Sequence, residues 1–359
     1  MQIKTQQTKQ SRLPQLDFDN IPFGRVFSDH MFVVDFIDGS WQDARIVPYG
    51  EMQLEPTNMA LHYGQSVFEG MKATKFHDGR PMLMTPEKHA RRLNASARRL
   101  AMAEIPEELF LAGLKQLVEM DQAWIPPTEG SALYIRPFMF AMDNSIGVRP
   151  SDRYRFMILT CPVGPYYAKP VKLWAETSYV RAAVGGVGEA KAAGNYAAAL
   201  LPAQKAQERG YDQILWLDAK NFEYVQEVGT MNIFFVIDGK IVTPAADGAI
   251  LHGITRDSII ELLRTQGKEV EVRPVRIQEI VDASRAGTLE EIFGSGTAAV
   301  ISFVESIHYK GEDIELPKVA NWSVAPGIKA HIEGLRSGRI ADELGWFVEA
   351  KSDALAPAF

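Results

Sequence analysis

Gly185-Gly-Val-Gly-Glu-Ala-Lys191-Ala-Ala-Gly194-Asn195-Tyr196 is the segment on which the reading of this chain turns. Four glycines surround one lysine. Glycine admits φ > 0 and lets a ligand come close to the backbone. A nucleotide-binding P-loop needs Gly directly before its lysine and Ser or Thr directly after it. Ala190 and Ala192 stand there instead, so that motif is excluded. Two readings stay open on these residues alone. One is an exposed loop lysine, the ordinary state of the residue type. The other is a nucleophilic lysine that forms a Schiff base, because an amine becomes reactive when desolvated or set beside other cations.

Upstream of this segment, Pro162-Val-Gly-Pro-Tyr-Tyr-Ala-Lys-Pro170 holds three prolines and a glycine in nine residues. Such a run forbids regular structure and marks a domain boundary. The expected division is 1–161, a loop at 162–170, and 171–359. Before the boundary, Met31–Ile37 reads as a strand that turns at Asp38-Gly39. Thr85-Pro86 opens a helix, with a hydroxyl N-cap and proline at the first position, and Leu93, Ala97 and Leu100 form its stripe. A second helix starts near Pro106 and runs toward Trp124. Ser131–Phe140 is a strand with Tyr134, Arg136 and Phe138 on one face and Leu133, Ile135 and Met139 on the other. Arg153–Cys161 is a further strand. Beyond the boundary, Val171–Ala175 is a strand, and Asn195–Gly210 is a helix that Pro202 must kink or break. Strands are expected at Gln213–Leu217, Tyr224–Glu227, Asn232–Ile237, Ile241–Thr243, Glu271–Val275, Glu291–Phe293 and Ala299–Val304, and a helix at Thr255–Thr265. Interleaved helices and strands define an α/β protein, with α+β character in the smaller domain.

The 359 residues suffice for two domains with ordinary cores, and 46% apolar residues is the composition of a soluble globular protein. Charged residues leave a net −7, which argues against general nucleic-acid affinity. The single cysteine, Cys161, excludes an internal disulfide and a multi-Cys zinc site, and fits a reducing, cytoplasmic setting. Apolar runs such as Phe156–Thr160 and Ile233–Ile237 fall far short of the roughly 20 residues of a membrane-spanning helix. Residues 1–20 are polar and Gln-rich, and read as a flexible or draped N-terminus.

Other stretches carry chemistry of their own. Gly253-Ile254-Thr255-Arg256 opens a helix, whose N-terminus presents free N–H groups suited to a phosphate; a simple capped helix is the alternative. Gly294-Ser295-Gly296-Thr297-Ala298 is a second donor-rich loop after a strand, or else a tight turn. Arg92 shares its helix with Arg91, Arg98 and Arg99, so a solvated basic face competes with an anion site. Arg136 beside Tyr134 needs an anionic partner if buried. Glu227, before Gly229, is a hairpin-edge charge or a carboxylate aimed into a site. His62 lacks a second histidine at ligand spacing, and no metal site is expected.

Taken in order, His62-Tyr63-Gly-Gln-Ser-Val-Phe68-Glu-Gly70-Met-Lys72, Tyr134-Ile-Arg136-Pro, Lys191-Ala-Ala-Gly-Asn-Tyr196, Glu227-Val-Gly-Thr-Met-Asn232, Gly253-Ile-Thr-Arg256 and Gly294-Ser-Gly-Thr-Ala298 resemble the branched-chain amino-acid aminotransferases of the fold-type-IV pyridoxal-phosphate class. The resemblance runs from about Met31 to about Trp346. It implies a smaller substrate-wall domain, a larger cofactor-binding one, and pyridoxal 5'-phosphate between them. Lys191 would carry the cofactor as a Schiff base and shuttle the proton. Tyr196 would donate to the ring's phenolic oxygen, and Glu227 would pair with the pyridine nitrogen. Arg92 would bind the phosphate with the amides of Ile254 and Thr255 and the hydroxyl of Thr297.

For the substrate, the resemblance implies an apolar wall of Tyr63, Phe68 and Tyr166, with Val148 donated by a neighbouring subunit and hence a homodimer. Tyr134 and the amides of Thr297 and Ala298 would meet the α-carboxylate. Lys72 and Arg136 would receive the second carboxylate of glutamate or 2-oxoglutarate. The implied reaction is reversible amino transfer between L-leucine, L-isoleucine or L-valine and 2-oxoglutarate, a step of branched-chain amino-acid biosynthesis or breakdown. Lys72 replaces an arginine of some members, giving a point charge in place of a fork. Ala299 and Ser302 stand where longer members carry a Cys-x-x-Cys pair, so thiol redox control there is excluded. D-amino-acid aminotransferases and aminodeoxychorismate lyases share much of this set, and a non-catalytic cofactor-binding protein is the alternative of another class.

Overall fold

A two-residue turn at Asp38-Gly39 closes the first hairpin of the computed structural model, which describes residues 2–165 and 169–352. The chain divides into two units. The first holds Met1–Tyr166, Lys191–Ala193 and Glu333–Phe359; the second holds Tyr167–Ala190 and Gly194–Ile332. The tail from Glu333 and the three residues from Lys191 thus group with the N-terminal part, not with the C-terminal domain in which the sequence alone placed them.

In chain order the first unit contains β1 (Lys4–Thr5), β2 (His30–Ile37), β3 (Ser40–Pro48), α1 (Met59–Tyr63), β4 (Ser66–Phe68), β5 (Met71–Lys75), β6 (Pro81–Met84), α2 (Pro86–Arg99), α3 (Glu107–Met120), β7 (Ala132–Ala141) and β8 (Tyr154–Val163). Then follow β9 (Val171–Ala175), α4 (Ala193–Ala198), α5 (Leu200–Glu208), β10 (Gln213–Leu217), β11 (Val225–Val228), β12 (Asn232–Ile237), β13 (Lys240–Thr243), α6 (Ile254–Thr265), β14 (Val270–Val272), α7 (Ile277–Ala286), β15 (Leu289–Gly296), β16 (Val300–Tyr309) and β17 (Glu312–Glu315). Last come α8 (Val324–Ser337) and β18 (Phe347–Glu349).

The first sheet runs β1-β3-β2-β8-β7-β5-β6-β18, with β4 also paired to β7. Alternation along β7 sorts its residues as expected. Leu133, Ile135 and Met139 join Phe32, Val34, Phe156 and Ile158 in the core beneath Leu93, Ala97, Phe110 and Leu114 of α2 and α3. Tyr134 and Arg136 therefore lie on the opposite face, where Tyr134 is the cross-strand partner of Lys72. Helix α2 contains no β-branched residue, starts with Pro86 at its first position and ends on Arg98 and Arg99, which complement its dipole. Burying Leu93 contributes about 2 kcal/mol; a charged residue there would break the contact with the sheet. Thr85 holds the N-cap position, but its φ of 47° turns the hydroxyl away and no cap bond forms.

The first twenty residues, expected to be flexible or draped, carry described structure. β1 pairs with β3, the Thr8 N–H donates to His30 Nε2 at 2.9 Å, and Ser11 and Arg12 donate to the buried Asp29.

The second unit's sheet runs β11-β10-β9-β16-β15-β12-β13-β14, with β17 on β16. Its core packs Leu173, Leu215, Phe235, Ile292 and Ile307 against Ile277 and Ile280 of α7. Pro202 has no N–H for the Ala198 carbonyl, and the expected single helix breaks at Ala199 into α4 and α5. Helix α8 was not legible locally; the buried Glu291 of β15 accepts from the backbone N–H groups of Ser323, Val324 and Ala325 and so caps its start. Among the described residues, no helix is long and apolar enough to cross a membrane.

Candidate active site

In the first unit, Lys191 is held by its backbone on two sides. Its carbonyl accepts from the Phe68 N–H at 3.1 Å, beside a bridge between Val67 and Ala192. Its N–H donates to Ser96 Oγ of α2 at 2.9 Å. The Ser96 hydroxyl in turn donates to the Arg92 carbonyl at 3.0 Å. A short chain of hydrogen bonds thus joins the lysine of the glycine-rich segment to the arginine of α2. Lys191 Nζ lies 5.0 Å from the centroid of the Phe68 ring. The Arg136 guanidinium lies 4.7 Å from the same centroid and donates to the Tyr134 hydroxyl at 3.1 Å.

Arg92 is no solvated surface charge. Its guanidinium donates to the fully buried Glu69. Lys72 shares its surroundings with Glu333 and Arg336 of α8, which sequence reasoning missed. Burial, with the Arg336 charge adding to it, pushes the Lys72 amine down to about 7, against the pull of Glu333. Tyr63 donates its hydroxyl to the Ile146 carbonyl, and Leu61, Ile146 and Val148 are exposed. Tyr166 lies outside the described residues.

In the second unit, the glycine-rich segment is folded by Asn195. Its side-chain amide donates to the carbonyls of Val187 and Ala190 at 2.8 and 2.9 Å. Gly188 is required there, since a Cβ would fall 2.3 Å from the Ala249 carbonyl oxygen. Glu227 of β11 is 4% exposed. It accepts from the Leu251 N–H at 2.8 Å and lies 3.2 Å from Arg181 Nε. The Arg181 guanidinium also donates to the Ala249 carbonyl. Glu227, Tyr196, Asn195, Thr230 and Leu251 line one cavity of about 190 Å³.

The two donor-rich loops meet at one end of β12. Ser295 is the cross-strand partner of Asn232. The Asn232 side chain donates to the Leu251 carbonyl at 2.9 Å and lies where a Cβ on Gly253 would fall, 1.8 Å from Asn232 Oδ1. Gly253 precedes α6 in an extended conformation with no side-chain cap, so Ile254 and Thr255 begin a helix whose first amides are not capped by a side chain. In the other loop, Thr297 and Ala298 follow β15, the Ser295 hydroxyl is buried without a hydrogen-bond partner, and Val300 has φ +63°, a strained value for a β-branched residue.

Each unit holds donors that fit a part of pyridoxal phosphate. In the second unit a buried carboxylate on a cavity wall suits a protonated ring nitrogen, and a helix start beside an orphaned buried hydroxyl suits a phosphate; in the first, a lysine anchored by its backbone carries an amine that suits an aldehyde. The residues missed by sequence reasoning, Glu69, His89, Ser96, Arg181, Leu251, Glu333 and Arg336, act through contacts that no local pattern records.

Comparison with known proteins agrees. The model of the amino-transferase class IV family matches residues 66–307. Branched-chain-amino-acid aminotransferase 2 of Bacillus subtilis is 47% identical over 343 residues, 94% of each chain. The Escherichia coli branched-chain amino acid aminotransferase structure superposes with a TM-score of 0.72 at 28% identity, covering 90% of this chain and 99% of that one. The branched-chain amino acid aminotransferase from Thermobaculum terrenum, solved in its PLP-form (holo-form), gives 0.72 at 25% identity, covering 89% of this chain and 98% of that one. The chain belongs to the class IV aminotransferases, pyridoxal-phosphate enzymes of fold type IV, and among them to the branched-chain amino-acid aminotransferases.

Proposed function

We propose that this protein is a branched-chain L-amino-acid transaminase that moves an amino group reversibly between L-leucine, L-isoleucine or L-valine and 2-oxoglutarate. The observation that carries the reading is the double backbone anchor of Lys191, to Phe68 and to Ser96 on the helix of Arg92. Pyridoxal phosphate, when bound, supplies an electron sink for the pair left at Cα when its proton departs. The Lys191 amine would take that proton from Cα and carry it toward the cofactor. Glu227 would hold a proton at the pyridine nitrogen, and Tyr196 would donate to the phenolic oxygen. Arg92, the amides of Ile254 and Thr255 and the Thr297 hydroxyl receive the phosphate.

The substrate α-carboxylate is met by Tyr134 and the amides of Thr297 and Ala298. Phe68 and Tyr63, with Val148 from a second copy in a homodimer, wall the aliphatic side chain. The exposure of Val148 and Ile146 supports that donation. Lys72 and Arg136 receive the second carboxylate of 2-oxoglutarate, which spares the pocket an unpaired charge.

Lys191→Ala tests the reading. The variant is expected to keep the circular dichroism of the parent and to lose amino transfer from L-leucine to 2-oxoglutarate. Substantial turnover would show that the proton carrier is another group. A parent enzyme active on D-alanine and inert to L-leucine would overturn the substrate class.

A further inference from the structure

Glu69 makes no contact that the transamination needs directly, yet it is 0% exposed and charged. Its Oε1 accepts from Arg92 Nε at 2.7 Å and its Oε2 from Arg92 Nη2 at 2.9 Å, a bidentate fork. Oε2 also accepts from His89 Nδ1 at 2.7 Å and from the Gly70 N–H at 3.2 Å. The Glu69 N–H donates to the Pro137 carbonyl at 2.7 Å, which ties the residue to β7. His89 is buried and sits three residues before Arg92, so both donors descend from one face of α2. Burial opposes the charge on Glu69, but the Arg92 guanidinium and His89 outweigh it and hold the carboxyl well below its usual range. Burial lowers His89 in turn, against the pull of Glu69, and its Nδ1 stands as the donor to the carboxylate.

Such a cluster is a poor device for stability, because apolar side chains of similar volume do as well without the desolvation cost. Its output is geometric. The fork engages Nε and Nη2 of the guanidinium and fixes its plane. We propose that Glu69, oriented by His89, is a positioning residue that fixes Arg92 for the phosphate group of the cofactor. This rests on the assignment of Arg92 to that phosphate.

The experiment titrates the apo-protein with pyridoxal phosphate and, separately, with pyridoxal, which lacks the phosphate. Arg92→Gln is expected to weaken pyridoxal phosphate strongly and to leave pyridoxal unchanged; an unchanged ratio would overturn the assignment of Arg92 itself. Glu69→Gln keeps an acceptor but cannot serve both Arg92 and His89. It is expected to weaken pyridoxal phosphate about tenfold, to leave pyridoxal unchanged, and to add nothing in the double variant with Arg92→Gln. With Arg92→Gln behaving as expected, two results would overturn the role of Glu69 alone: an unchanged ratio of the two affinities, whether or not both fall, or losses that multiply in the double variant. Should Glu69→Gln fail to fold, His89→Leu is expected to weaken pyridoxal phosphate selectively and His89→Asn, which keeps a donor, to restore it. Equal affinities in those two variants would overturn the proposal.

Discussion

Two of the carboxylates that the molecule buries against arginines have different surroundings. Glu69 in the first unit is enclosed by Arg92, His89 and the Gly70 amide, and is fully buried. Glu227 in the second unit touches Arg181 and the Leu251 amide but opens on a cavity with Tyr196. The first carboxylate uses its lone pairs within its own fold; the second, though paired, also lines the cavity. An arginine–glutamate pair is therefore no signature of function by itself. What the carboxylate faces decides its role.

Glu227→Gln puts the largest strain on this contrast. Loss of the charge proposed to pair with the ring nitrogen should lower kcat on the order of 10²–10³ with little change in KM, and excess cofactor should not restore it. For Glu69→Gln, saturating cofactor should restore most of the rate. Steady-state rates at low and saturating pyridoxal phosphate check both; rescue of Glu227→Gln by cofactor would erase the distinction.

A smaller effect concerns cations. Arg92 is neutralised by its carboxylate, whereas Lys72 has Arg336 near it and an amine lowered to about 7. The amine is charged below that pH and neutral above it. As pH rises from 6 to 8, kcat/KM for 2-oxoglutarate should fall about tenfold relative to that for 4-methyl-2-oxopentanoate, as the charged fraction falls. Lys72→Arg should remove the difference. A flat ratio in the parent would take Lys72 out of the second-carboxylate site.

The smallest effect is expected for Ser96→Ala, which leaves the Lys191 N–H without its side-chain acceptor. About 1 kcal/mol of stability should be lost, measured by urea unfolding, with kcat lowered only a few-fold. A loss as large as that of Glu227→Gln would mean that Ser96 does more than hold the backbone.

Which parts of this were legible in the sequence follows from where each interaction is recorded. Lys191, Glu227 and the two donor-rich loops sit in short motifs whose order along the chain carries meaning. Strand alternation correctly set Tyr134 and Arg136 apart from Leu133 and Ile135. Glu69 stood in plain view between Phe68 and Gly70, but its burial and its partner 23 residues on belong to the tertiary structure. Arg92 read as one of four arginines on a basic face for the same reason. The Thr85 hydroxyl failed as a cap because its left-handed backbone, not its side-chain chemistry, decides where it points. Helix α8, with Pro326 and Gly327 in its first turn, has weak local propensity and takes its start from Glu291, more than thirty residues away.

The hydrogen-bonded path from Lys191 through Ser96 to Arg92 makes α2 a gauge block. Arg92 and Ser96 stand four residues apart, about 6 Å along the axis and on one face. That single turn sets the separation between the backbone that carries the amine and the backbone that carries the guanidinium. Insertion of one residue between them would swing one end about 100° around the helix and put the two out of register. The tolerance of this protein to insertions is thus expected to be narrowest in five residues of a regular helix, and wider at an exposed turn such as Asp38-Gly39.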